Sequence, residues 1–443
     1  MASILPNVPG TGSKIPISNY TAGMTDFYPN ANRSRIVETS INARERVDIM
    51  PINSGLNQSL SDKYIEFRLT SSDGVFIDLT TLTLELKMTF NKPDDGGFKA
   101  GDADSNFNLV NGISNTLFKS VNVFLNDKLV ESNPLYNYIS YIKMLRSMPL
   151  STMDSLGACG GLRDDFHDTT KIVPDNIIDA HLDKSVIPGL QRDGLDICFP
   201  LMLDITTLDM YLLDNVDLRI RLELADHSWY MAYCGQFHID AQIQKAVLWV
   251  DRVIPHFNAM KALSDSIQKK PIQYIFNKSL IKTYVIGSNE NNIILDQPFN
   301  NVIPEKLSMC FIDNVSFNGN LSRNPLHFPT LNVSCITISI NGNTVYNLKG
   351  GTRAYYETLR SNGIQDDNML THRSFLGGRC LYTFNFTNED MKDSVPVEMS
   401  ANMRITIDFE TPPPRPHILL LAGESVGILN IDSYRNIQCD VRA

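Results

Sequence analysis

Nowhere in this chain of 443 residues does an apolar run approach the ~18 positions that a membrane-spanning helix needs. The longest candidate, residues 418–423, has the length of a buried strand and runs into Glu424. No membrane span is expected. A Cys-x-x-Cys pair is also missing. The seven cysteines, at 159, 198, 234, 310, 335, 380 and 439, are odd in number and dispersed. They read as free thiols, mostly filling the core, and not as a disulfide framework. The opening Met-Ala-Ser-Ile-Leu-Pro-Asn-Val-Pro-Gly has neither the charged nor the apolar region of a secretory signal. Synthesis and folding in the cytosol are therefore expected, and triplets such as Asn320-Leu321-Ser322 carry no weight as glycosylation sites. Positive charge is in deficit: 39 Lys and Arg against 49 Asp and Glu leave a net −10. That excludes a surface coated for nucleic acid, which needs clustered Lys and Arg, though not a small local patch.

Chemistry-bearing motifs are scarce as well. Asp102-Ala103-Asp104-Ser105-Asn106 begins like a calcium loop, but Phe107 stands where the turn needs Gly and Ile113 where a bidentate Glu belongs. A solvated hairpin tip is the simpler reading. Gly157-Ala158-Cys159-Gly160-Gly161 and Gly350-Gly351-Thr352 lack the spacing and the Lys of a phosphate cradle, and read as flexible loop tips. His238-Ile239-Asp240 places two potential ligands on one face of a strand, with no second His or Cys at ligand spacing; His227 and His256 stand alone. No Gly-x-Ser-x-Gly, His-Glu-x-x-His or Cys/His nucleophile signature occurs. Nothing singles out a carboxylate pair among the acids. The expectation is no catalytic residue, no cofactor and no metal: not an enzyme.

What the chain does contain is the same thing twice. Residues 121–130 read Val-Asn-Val-Phe-Leu-Asn-Asp-Lys-Leu-Val, and residues 336–345 read Ile-Thr-Ile-Ser-Ile-Asn-Gly-Asn-Thr-Val. Each is a strand, a polar turn at Asn126-Asp127 or Asn341-Gly342, and a returning strand. Each leads into a Tyr-rich helical stretch ending in Leu-Arg-Ser, at 145–147 and 359–361. A third pair sets residues 218–224 against 403–409. The turn at 126 recurs at 341, a displacement of 215, while the last strand at 218 recurs at 403, a displacement of 185. The first copy therefore carries about 30 extra residues between helix and strand, and the Asp- and Gly-rich stretch 149–196 supplies them. Two copies of one β-domain point to assembly more than to chemistry.

Period-2 alternation supports the β reading. Residues 63–69, 82–90 and 216–224 alternate, with Ile65, Phe67, Leu69, then Leu82, Leu84, Leu86, Met88, Phe90, then Val216, Leu218, Ile220, Leu222, Leu224 on the apolar side. Residues 336–340, 382–386 and 403–409 do the same in the second half. Each strand has one wet face, so pairs of sheets should pack as sandwiches. Helices are few: 137–147, 353–361 and 258–268, the last with Met260, Leu263 and Ile267 on one face. Residues 1–60, rich in Pro, Asn, Ser and Gly, read as an extended arm ordered against a partner or neighbour. Its Lys14, Arg33, Arg35, Arg44 and Arg46 are offset by four acids. Residues 411–416 read as an extended polyproline loop before the last strand. The division is an arm 1–60, a first domain 61–255, a connector helix 256–275 and a second domain 276–443.

These residues resemble a known family, the double jelly-roll major capsid proteins of Polinton/Maverick elements and the related adintoviruses. The resemblance runs from about residue 45 to the end. It is carried by residues 46–52 and 63–67, by Phe76-Ile77-Asp78-Leu79-Thr80 with 82–88, and by the block 109–126. It continues in 259–272, in 311–320 followed by Asn324-Pro325-Leu326-His327-Phe328, and in Asp432-Ser433-Tyr434-Arg435-Asn436. Residues 149–196 and 411–416 depart from it. The resemblance implies an all-β fold of two tandem eight-stranded jelly rolls with a few short helices. It implies a homotrimer with a pseudo-hexagonal outline that tiles an icosahedral shell around double-stranded DNA. Expected partners are the chain itself, then penton and minor capsid proteins, with DNA contacted at most indirectly; the expected location is the virion, after synthesis in the host cytoplasm. The alternatives are a minor capsid or penton protein, for which a single roll would suffice, a domesticated capsid-derived cellular protein, and a β-sandwich carbohydrate-binding or cupin-like protein, for which the clustered His ligands are missing.

Overall fold

The computed structural model describes residues 40–53, 64–91, 107–162, 190–191, 194–208, 210–233, 240–321, 323–363, 369–387 and 399–439. The candidate calcium loop at 102–106 and His238 lie outside the described residues, as do 1–39 of the arm.

Eight strands build the first half: β1 (Ile41–Ile49), β2 (Tyr64–Leu69), β3 (Phe76–Asn91), β4 (Phe118–Leu125), β5 (Lys128–Asn133), β6 (Gly194–Pro200), β7 (Leu218–Leu224) and β8 (Asp240–Pro255). They form two antiparallel sheets, β1-β8-β3-β6 and β2-β7-β4-β5. Eight more build the second half: β9 (Ile272–Ile286), β10 (Asn292–Asp296), β11 (Lys306–Asp313), β12 (Val333–Ile340), β13 (Asn343–Lys349), β14 (Tyr382–Asn385), β15 (Met403–Phe409) and β16 (His417–Ile431). Their order is β9-β16-β11-β14 and β10-β15-β12-β13. Each strand of the first half thus has its counterpart eight strands later, in the same neighbourhood. Sheets that interleave early and late strands in this way are jelly rolls, and the chain is all-β with two of them in tandem. Shorter strands, such as Leu190–Gln191 beside β6 and Ile437–Cys439 beside β16, extend the larger sheets.

The alternating strands bury the side the sequence predicts. Leu82, Leu84, Leu86 and Met88 of β3, Ile65 and Phe67 of β2, and Ile220 and Leu222 of β7 are all buried. In the second roll Ile336 and Ile338 of β12, Ile405 and Ile407 of β15, and Leu307, Met309 and Phe311 of β11 fill a separate core. β11 and β16 are covered on both faces. Met309, Phe311, Leu419 and Leu421 point into the second core, while Cys310, Ile312 and Leu420 join the apolar cluster of the first roll. This explains the unbroken apolar run at 418–421: it is a strand buried on two sides.

The repeat found in the sequence is a structural one. Asn126 and Asp127, with φ 46° and 62°, turn β4 into β5; Asn341 and Gly342, with φ 51° and 81°, turn β12 into β13. Left-handed backbone at both positions matches the twist of a tight hairpin, and Asn, Asp and Gly tolerate it. Each turn is also tied to the strand beyond it. Asn126 N–H donates to the Asp217 carbonyl at 2.9 Å, and Asn126 Oδ1 accepts from Asp217 N–H at 2.8 Å, just ahead of β7. Asn341 N–H donates to the Asn402 carbonyl at 2.8 Å, and Asn341 Oδ1 accepts from Asn402 N–H at 3.0 Å, just ahead of β15. The repeated Leu-Arg-Ser tripeptides close α1 (Tyr136–Ser147) and, in the second roll, the helix Thr352–Asn362.

Two boundaries differ from the sequence reading. The segment 1–60 assigned to the arm contains β1, which pairs with β8 from Ile49↔Leu248 to Ile41↔Pro255. β1 is an edge strand whose residues 42–46 are all exposed, so it shows no apolar alternation; backbone pairing places it. The helix α2 (Phe257–Lys269) lies within the connector 256–275, capped by His256 Nδ1, which accepts from Asn258 N–H at 3.4 Å. The last residues of that segment open β9. The helix Thr352–Asn362 is α3.

Candidate assembly surfaces

Among the described residues no group of three or more His, Cys, Asp and Glu side chains could hold a metal ion. Cys310 and Cys380 are buried in the second half, and burial pushes the Cys380 thiol up to about 12 and raises the Cys310 thiol well above its ordinary value. Neither is a thiolate nucleophile. The glycine segment 157–161 is not a flexible tip: Gly157, Gly160 and Gly161 are buried. The Gly160 carbonyl accepts from Ser114 N–H and the Gly161 carbonyl from Gly112 N–H, both at 3.2 Å, which anchors the short helix Ile113–Thr116. A Cβ on Gly160 would lie 2.5 Å from the Phe199 ring. Gly350 is held against β12, where a Cβ would meet the Val333 carbonyl at 2.1 Å. These glycines serve packing.

Polar side chains instead converge on the seam between the rolls. Four separate segments meet there: β5, α1, residues 202–207 and β9. Lys143 Nζ of α1 donates to Asp204 Oδ1 at 2.6 Å and to the Met202 carbonyl at 3.3 Å. Asp204 also accepts from Ser279 of β9, through N–H at 2.7 Å and Oγ–H at 2.6 Å. Glu131 of β5 accepts from Asp204 N–H at 2.9 Å, Ile205 N–H at 3.2 Å and Asn133 Nδ2 at 2.8 Å. Burial, with the neighbouring Asp204, pushes the Glu131 carboxyl up to about 8. Burial works to lower Lys143, but Asp204 and Glu131 outweigh it and hold the ammonium above its ordinary value. Nearby, Arg146 Nη1 meets Glu424 Oε1 of β16 at 2.5 Å, and Arg146 Nε donates to Asn362 Oδ1 at the end of α3 at 2.9 Å.

Aromatic packing reinforces the seam. Tyr138 of α1 stacks on Phe317 with ring centroids 5.5 Å apart, and Tyr141 meets the Phe328 ring edge-on at 5.8 Å. The chain terminus adds a tie: Arg435 binds Asp214 through Nη2 and its carbonyl through Nε at 2.8 Å, and the Arg435 carbonyl accepts from Asn126 Nδ2 at 3.0 Å. At the entry to β16, Asp313 gathers Arg323 at 2.6 Å and Arg415 at 3.4 Å. Sequence reasoning did not reach this seam, because its members are far apart in the chain and no local spacing announces them. The Leu-Arg-Ser repeat was the one available signal, through Arg146.

Among the described residues β1, β9, β10 and β13 lie at sheet edges, and the surface carries isolated exposed apolar side chains. Val345 on β13, Ile294 on β10, Val285 on β9 and Tyr356 on α3 are all at least half exposed. No described helix is long and apolar enough to cross a membrane.

The double jelly roll is shared with solved structures across nearly the full chain. A chain from the cryo-EM structure of the Sputnik virophage is similar with a TM-score of 0.62 at 12% identity, over 94% of this chain and 92% of that one. The Faustovirus major capsid protein is similar with a TM-score of 0.59 at 9% identity, over 90% and 92%. The mavirus major capsid protein is similar with a TM-score of 0.52 at 12% identity, over 93% and 92%. At these identities the likeness is one of fold. No protein-family profile matches the chain, and no curated protein matches it by sequence.

Proposed function

We propose that this chain is the major capsid protein of a virus or virus-like element. Three copies form a pseudo-hexagonal capsomer that tiles an icosahedral shell around double-stranded DNA, and the protein resides in the virion. The observation that carries the reading is the duplicated jelly roll itself, a fold shared with capsid proteins along nine-tenths of the chain or more. Two similar rolls in one chain give three copies six similar corners, so one kind of contact can tile a flat facet. The sequence resemblance to the Polinton/Maverick and adintovirus capsid proteins supports that lineage, and the division into arm, roll, connector helix and roll follows the same pattern. The role is mechanical and not enzymatic; penton and minor capsid proteins complete the shell, and DNA is touched at most indirectly.

Negative-stain images of the purified protein test this directly. Six-cornered class averages are expected. Particles with the outline of a single pair of rolls at every concentration, salt and pH would contradict it.

A further inference from the structure

The two rolls put their counterpart helices in opposite surroundings. α1 is buried along most of its length, and nine of its residues, from Tyr136 to Leu145, are inaccessible. It lies on the outer face of the second roll's larger sheet: Tyr138, Tyr141 and Leu145 share one apolar cluster with Cys310, Ile312 and Leu420. α3 follows β13 as α1 follows β5 and ends in the same tripeptide, yet only Ala354, Thr358 and Ser361 are buried. Those three turn toward β14, where Thr358 Oγ1 donates to the Leu381 carbonyl at 2.9 Å and accepts from Thr383 N–H at 3.2 Å. The opposite side of α3 carries Arg353, Tyr356 and Arg360 in solvent, with Tyr356 54% exposed. Arg146 of α1 has Glu424; its counterpart Arg360 has no ion-pair partner among the described residues.

Among the described residues, then, α1 is covered by the second roll and the outer side of α3 is left uncovered. We infer that the outer side of α3, centred on Tyr356 and Arg360, seats on the first roll of a second copy of this chain. The seat is the outer face of the β1-β8-β3-β6 sheet, the topological counterpart of the sheet that α1 covers. That face offers what the contact needs. Trp249 is half-buried there, with Nε1–H donating to Glu85 Oε2 at 2.8 Å, and presents an aromatic surface to Tyr356. The exposed Asp196 on β6 supplies negative charge for the arginines of α3, while Glu85 beside it is held by Lys245 and Trp249. The contact is heterologous, roll two of one copy against roll one of the next, so repeating it generates a ring. This deepens the capsomer reading and rests on it.

The test uses the full chain with Tyr356→Ala and Arg360→Glu together. Both side chains are exposed, so thermal unfolding of the isolated copy should be unchanged. Analytical ultracentrifugation should show the concentration for half-assembly raised by about tenfold or more. In parallel, a photo-crosslinker at position 356, in a mixture of isotopically light and heavy copies, should capture residues 83–87, 196–198 or 245–251 of another copy. A wild-type trimer that the double variant leaves unchanged, or capture at another surface, overturns this inference alone. A wild type that never assembles overturns the capsomer reading as well, so the two failures are distinguishable.

Discussion

Single residues set how the molecule answers to pH, and two buried groups pull in opposite directions. Glu131 is held up to about 8, against an ordinary 4.5, by burial and the proximity of Asp204. Its folded-state value lies above its unfolded one, so the native protein keeps a proton that the unfolded chain releases. Its contribution is complete below about 4.5 and is lost as pH rises through about 8. One proton limits the slope to ~1.4 kcal/mol per pH unit. Glu131→Gln should therefore lose less stability than wild type between pH 5 and 9; denaturation midpoints that fall in parallel would refute the assignment. His417 behaves the other way. Burial lowers it from 6.5, with its Nδ1–H donating to the Arg415 carbonyl at 2.8 Å and Asp313 opposing the shift. Its folded value lies below its unfolded one, so its contribution is present above pH 6.5 and lost as pH falls. His417→Gln should flatten the acid side of the stability profile. The turn asparagines make a third case. Asn341→Ala removes one hydrogen bond to Asn402 and forces Ala into left-handed backbone, at a cost of about 1–2 kcal/mol. Asn126→Ala loses the same kind of bond, to Asp217, and a second one to the Arg435 carbonyl, so it should cost more, and a urea titration of each variant checks the pair.

Elements show why some of the fold was legible and some was not. β3, β7 and β15 were read correctly because each has one apolar and one wet face, and side-chain period reports that directly. The hairpin turns were legible because left-handed backbone restricts the residue types. β1 was not: as an edge strand with exposed side chains it is defined by backbone pairing to β8, which leaves no apolar pattern. The Glu131–Asp204–Lys143 seam was equally silent, since bringing these three side chains together depends on how distant segments meet. The glycines at 157–161 looked like loop tips because composition does not distinguish a flexible loop from a close-packed one. Two element-scale outcomes follow. Leu84→Asp or Leu222→Asp puts a charge into the sandwich core, where each native side chain is at most 1% exposed; no soluble, cooperatively unfolding protein is expected from either. Deleting residues 1–39 should leave oligomers intact while blocking shell formation. Deleting 1–49 also removes β1 from its sheet and should lower the thermal midpoint of the isolated chain. An unchanged midpoint would contradict the strand's place in the roll.

At the scale of the whole molecule, the duplication organises everything else. The same strand order, the same clamped hairpin and the same helix ending occur twice, and the rolls are joined by a continuous apolar cluster and by the Arg146–Glu424 and Lys143–Asp204–Ser279 contacts. A chain built this way presents two similar faces at fixed spacing, which suits it to surround a symmetry axis. Because the rolls are locked together, the assembling unit should behave as one body. The measurement that tests the account most directly is the native mass of the purified protein in solution. A dominant species at three times 49.8 kDa is the predicted result. A stable monomer at all concentrations, salts and pH values would contradict the capsomer.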